Sequence, residues 1–90
     1  MSEPTIANIQ ATIRFNFSIV SEAAMNAEVD EINAEQALSI ISPVLASTRA
    51  LCVILKNTEI KSPDDARLAK TARGDAAEIE QIFRQIELIQ

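Results

Sequence analysis

From Ala37 to Leu55 the chain reads ALSIISPVLASTRALCVIL, nineteen residues interrupted by a single charge, Arg49. Wound as a helix, this run is apolar almost all the way round, so it needs cover from the rest of the chain or from a second copy. It is also long enough to raise the question of a membrane span. Arg49, Pro43 and four hydroxyl residues argue against one, since a mid-span arginine costs about 2.5–3.5 kcal/mol on insertion scales. The expectation is a covered helix in a protein with no membrane partner.

The residues around the run set its limits. Asn33 is a good helix cap, and Gln36 at the third helical position completes a capping-box pattern. Pro43 lacks a backbone donor and crowds the carbonyl of Ser39, so a kink or a restart at Ser42-Pro43 is expected. Beyond it, Leu45, Thr48, Cys52 and Leu55 line one seam, and Val44, Leu51 and Ile54 line another. Two apolar seams predict a central helix with a neighbour on each side. After a linker at Asn57–Lys61 comes Ser62-Pro63-Asp64-Asp65, a serine cap, a first-position proline and two carboxylates at the positive end of a helix dipole. Leu68, Ala72, Ile79, Ile82, Phe83, Ile86 and Ile89 then form an amphipathic stripe to the end of the chain. Small residues (Ala66, Ala69, Ala72, Ala76, Ala77) dominate its first half. Gly74 falls inside this helix, either as a tolerated cost of about 1 kcal/mol or as a point of close backbone approach.

The N-terminal segment reads two ways. As a helix over about 5–30, its apolar residues are Ile6, Ile9, Ile13, Phe17, Val20 and Ala24, spaced three or four apart. As a strand, Ile13–Ile19 alternates, with Ile13, Phe15, Phe17 and Ile19 on one face and Arg14, Asn16 and Ser18 on the other. A strand followed by two helices, dimerised through the strand, resembles the ribbon-helix-helix DNA-binding arrangement. That resemblance would aim Arg14, Asn16 and Ser18 at base edges. The helical match is longer and no second strand is visible, so helix is the favoured reading.

The residue inventory limits the chemistry. With no His, Trp or Tyr, the usual general base near neutral pH is missing, and so are Ser–His and Cys–His nucleophilic pairs. No enzyme activity is expected, and no catalytic residue, cofactor or metal is assigned. Zinc ligation fails on the count of Cys and His. The acidic run at Glu28–Glu35 lacks the alternating oxygens and turn glycine of a calcium loop. Cys52 has Arg49 and Lys56 one turn to either side, which would activate a thiol, but a small buried hydrophobe on the middle helix is the simpler reading. One cysteine cannot form an internal disulfide, and Glu3 and Pro4 precede any apolar run, so a reducing, cytoplasmic setting is expected.

Charge is placed unevenly. Residues 1–44 carry one base against six acids, while residues 45–90 carry seven of each. Net charge of −5 works against nucleic acid and anionic membrane as partners. It favours another protein, met through acidic Glu28, Asp30, Glu31 and Glu35 and through Arg67, Lys70 and Arg73, which recur every three residues on the last helix. The acidic set also has the makings of a nucleic-acid mimic, and the basic set of a phosphate grip.

The sequence therefore predicts an all-α fold, a three-helix bundle or a helical hairpin with an N-terminal helix, over helices of about 5–30, 34–57 and 63–89. Its surplus of apolar face predicts a homodimer. The expected function is a non-enzymatic protein–protein interaction module, an adaptor, inhibitor or regulator. The alternatives are a dimeric DNA-binding regulator and a structural or secretion-linked helical subunit.

Overall fold

The computed structural model describes residues 5–89 and consists of three helices, α1 (Ile6–Glu28), α2 (Ala34–Lys56) and α3 (Pro63–Ile89). They run up, down and up as a bundle 45 × 25 × 17 Å in extent. The strand reading of Ile13–Ile19 is overturned, because that stretch lies inside α1. Ile13, Asn16 and Val20 are buried together at helical spacing, while Phe15, which an alternating strand would place beside Ile13, is 65% exposed. A period of 2 and a period of 3.6 overlap over seven residues, and the longer apolar register prevails.

Each helix starts where its cap dictates. Thr5 Oγ1 accepts from the Asn8 amide at 3.1 Å. Asn33 and Gln36 form the full reciprocal box, with the Gln36 amide donating to Asn33 Oδ1 at 2.8 Å and the Asn33 amide to Gln36 Oε1 at 2.9 Å. Ser62 Oγ accepts from the Asp65 amide at 3.1 Å. Caps of this kind are worth about 1 kcal/mol each.

The turn after α1 gives Asp30 a structural task. Its φ of 62° is left-handed. The Glu31 amide donates to the Asn26 carbonyl at 2.8 Å and the Asp30 amide to the Ala27 carbonyl at 3.3 Å. That is a Schellman ending, with Asp30 where glycine is usual. Aspartate is among the few side chains that tolerate this conformation.

Helix α2 passes through Pro43 without a break, so the expected restart at Ser42-Pro43 does not occur. Pro43 and Ser39 both lie on the exposed side, where water can hydrate the carbonyl that Pro43 leaves unbonded. Ser42 Oγ donates to the Leu38 carbonyl at 2.7 Å just before it.

The core is an isoleucine and alanine seam. Ile6, Ile9, Ile13, Val20 and Ala23 enter it from α1, Ala37, Ile41, Leu45 and Leu55 from α2, and Ala69, Ala72, Ala76, Ile79 and Ile86 from α3. Alanines in the first half of α3 allow close approach, and α1 and α3 share the most extensive interface. Helix α2 is thus not the sandwiched centre of the bundle. Its Leu45, Thr48 and Leu55 seam is buried, but Val44 and Leu51 are half-buried and Ile54 is exposed. Within the single chain the outward side of the Ala37–Leu55 run faces solvent, so α1 and α3 supply only part of the cover it needs. Ile89 is also exposed, as the last turn of α3 runs past the core.

Gly74 is tolerated and makes no close contact, since a Cβ built there meets nothing within 4 Å. Gly74→Ala is therefore expected to raise the unfolding free energy by about 1 kcal/mol, through helix propensity alone. Urea denaturation at an unchanged m-value measures this gain.

Candidate partner-binding surfaces

The acidic residues gather at one end of the bundle. Glu28 closes α1, Asp30 and Glu31 lie in the turn, and Glu35 sits in the first turn of α2, where its charge suits the helix dipole. All four are exposed. Glu28 instead faces the negative end of its own helix, so its placement owes nothing to helix stability.

The basic residues lie elsewhere. Cross-helix contacts between Arg14 and Asp75, Asn16 and Thr48, and Arg49 and Glu80 fix the helices' relative levels. They place Arg67, Lys70 and Arg73 beside the first half of α1, roughly 25–35 Å along the axis from the acidic turn at 1.5 Å per residue. The fold keeps the two sets apart. Arg67 donates to Asp64 at 3.2 Å, with both side chains largely in water, where such a pair contributes little. Lys70 is exposed. Arg73 turns toward α2 and lines a groove of about 310 Å³ with Thr48, Arg49, Cys52, Ala76, Ala77 and Glu80.

Cys52 is half-buried in that groove. Burial pushes its thiol up from the ordinary cysteine value, and the nearby Arg73 charge only partly offsets this. The relevant cation comes from α3, whereas sequence spacing pointed to Arg49 and Lys56. Arg49 is committed to Glu80, donating through Nε at 2.6 Å and through Nη2 at 2.9 Å. This two-pronged pair holds the Glu80 carboxyl below the ordinary glutamate value and raises the Arg49 guanidinium. The arrangement favours a protonated, unreactive thiol.

The three residues assigned to base edges in the strand reading have other partners. Arg14 Nη1 donates to Asp75 Oδ1 at 3.1 Å, and its guanidinium lies 5.6 Å from the Phe17 ring centroid. Asn16 is buried and donates from Nδ2 to Thr48 Oγ1 at 3.1 Å, while the Thr48 hydroxyl donates to the Val44 carbonyl at 2.9 Å. Ser18 donates to the Arg14 carbonyl at 3.3 Å. Asn16, Thr48 and Asp75, one from each helix, are the buried polar residues among those described. Sequence reading missed Asn16 and Asp75. The available signal was register, because Asn16 falls three residues after Ile13 and four before Val20, and Asp75 three after Ala72 and four before Ile79.

Among the described residues, no three Asp, Glu or Cys side chains converge as a metal site requires. Helix α2 is long and apolar enough to cross a membrane, by length and composition alone. In comparisons with known proteins the chain matches no family model, no curated protein and no solved structure.

Proposed function

We propose that this chain is a small, non-enzymatic protein–protein interaction module, an adaptor, inhibitor or regulator that works as a homodimer in the cytoplasm. It meets its partner through the acidic end of the bundle and the polar face of α3. The observation that carries this reading is the segregation of charge. Ten of the 27 residues of α3 are charged, against three of 23 in each of α1 and α2. A partner would be basic where it meets Glu28, Glu31 and Glu35, and acidic where it meets Arg67, Lys70 and Arg73. An acidic turn and a row of basic side chains set apart along one elongated body fix the orientation of docking as well as its strength.

Affinity capture from native lysate with mass spectrometry tests the proposal, comparing the wild type with Arg67, Lys70 and Arg73 reversed to Glu and with Glu28, Glu31 and Glu35 reversed to Lys. The expected result is a stoichiometric protein partner that is lost on reversal of either set and weakened by added salt. A partner held equally by both variants would remove these surfaces from the proposal. Absence of any stoichiometric protein, together with tight binding of a small ligand, would overturn it.

A further inference from the structure

We propose that the outward face shared by α1 and α2 docks against a second copy of this chain, giving a homodimer with a charge-free contact. This deepens the self-association in the function proposed above and rests on it. The first observation is where the charges go. Between Ala7 and Ser21, α1 carries one charge, Arg14, and between Gln36 and Leu55, α2 carries one, Arg49. Both are drawn onto α3, by Asp75 at 3.1 Å and by Glu80 at 2.6 Å. The outward side of α1 and α2 is left without charge over about four turns.

That side is also apolar. Phe15 on α1 and Ile40 and Ile54 on α2 are exposed, with small Ala11 and Ala50 among them. Only 22% of the most apolar 18 residues of α2 are buried within the bundle. Three hydroxyls on the exposed surfaces of these helices are already bonded to their own backbone. Thr12 donates to the Asn8 carbonyl at 2.9 Å, Ser18 to the Arg14 carbonyl and Ser42 to the Leu38 carbonyl. Covering these three strands no donor, which lowers the penalty for burying polar groups, and leaves Ser39 and Ser47 as the exposed α2 hydroxyls that a covering surface has to pair.

The chemistry of the face selects a copy of itself. A charged partner finds nothing on it to pair with. An anionic lipid surface repels a chain of net charge −5, and the face offers no lysine or arginine to offset this. A second copy presents the same uncharged surface. A two-fold axis perpendicular to the helices puts the two α3 helices on the outside, about one helix diameter or ~10 Å behind the contact, beyond the ~8 Å over which charges act at physiological salt. It also sends the two acidic turns to opposite ends. Two helix faces about 10 Å wide and 25 Å long amount to roughly 500 Å² per copy, about 1,000 Å² in total, at the lower bound for a specific interface.

Light scattering coupled to size exclusion, run on the full chain over a range of concentrations, tests the inference. The wild type is expected to have twice the monomer mass. Phe15→Glu and Ala50→Glu, both at exposed positions, should halve that mass without changing helicity by circular dichroism. Lys70→Glu on α3 removes a positive charge and makes the chain more acidic than either variant, yet it should remain dimeric. Should a glutamate variant fail to fold, Ala50→Cys in a Cys52→Ser background replaces it. Oxidation should then give a covalent dimer that Lys70→Cys in the same background does not. A wild type monomeric at every concentration would overturn both this inference and the self-association it rests on. A dimer that survives Phe15→Glu and Ala50→Glu would overturn this face alone. Retention of the wild type on phosphatidylcholine vesicles in place of self-association would assign the face to lipid.

Discussion

Ile79→Ala is expected to lower the unfolding free energy by about 2–5 kcal/mol, read as a drop in the urea midpoint by circular dichroism. Ile79 has no exposed surface and comes from the half of α3 where bulky side chains replace the alanines that precede it. Truncation removes its transfer free energy and leaves a cavity that helices closely set around alanine cannot fill by moving inward. A domain of this length has a total stability on the order of 5–13 kcal/mol, so a large share disappears, and the thermal midpoint should fall by about 10 °C or more. Ile89→Ala supplies the contrast. Its side chain, 72% exposed, belongs to the same sequence stripe, and its truncation should shift stability by no more than about 0.5 kcal/mol. Equal losses at the two positions would mean that the buried face of α3 is misassigned.

A second pair of substitutions should act in opposite directions. Asp75 is 8% exposed, and its only partner among the described residues is the more open Arg14; Oδ2 is buried with no hydrogen bond to any of them. Arg14→Ala strips that partner and leaves a carboxylate in the core, so it should destabilise by about 1–3 kcal/mol, the lower part of the range for broken buried pairs because Arg14 itself faces water. Asp75→Leu removes the carboxylate and its desolvation cost while continuing the apolar seam between Ala72 and Ile79. It should be neutral or stabilising by about 1–3 kcal/mol. Denaturation of both variants and of the double variant measures the coupling. If Asp75→Leu destabilises as much as Arg14→Ala, the ion pair holds the helices together and is not a tolerated burden.

Much of this architecture could be read in the residues because its signals are local. The Asn33–Gln36 box and the Ser62-Pro63-Asp64-Asp65 start mark α2 and α3 within a few residues, and the structure begins both helices at those points. Failures came where a position depends on a distant partner. Hydropathy places Phe17 in the α1 stripe and Asn16 outside it, yet Asn16 occupies the core because Thr48, 32 residues away, receives its amide hydrogen. Arg49 looked like an interruption in an apolar run and a potential activator of Cys52. Its actual task was set by Glu80, 31 residues further on. Cover of the Ala37–Leu55 run from within the chain is partial for a related reason. Counting apolar positions gives the area to be hidden, but two neighbouring helices reach only the side they touch. The acidic and basic sets lie at the surface while Asp75 is buried, and the distance between the two sets depends on the up-down-up path and has no local signature.

The Asn16–Thr48 hydrogen bond has a consequence for alignment errors. Seams made of isoleucine, leucine and alanine offer nearly equivalent contacts when one helix slides past another by a turn, about 5.4 Å. Such a slip costs little as long as every side chain involved is aliphatic. With Asn16 on α1 and Thr48 on α2, the shifted bundle would press an amide against Leu45 or Leu51 with no acceptor, at about 1–3 kcal/mol. One polar pair thus separates the native pairing of α1 and α2 from its closest competitors, and it does so through what mispairing would cost as much as through the strength of the bond.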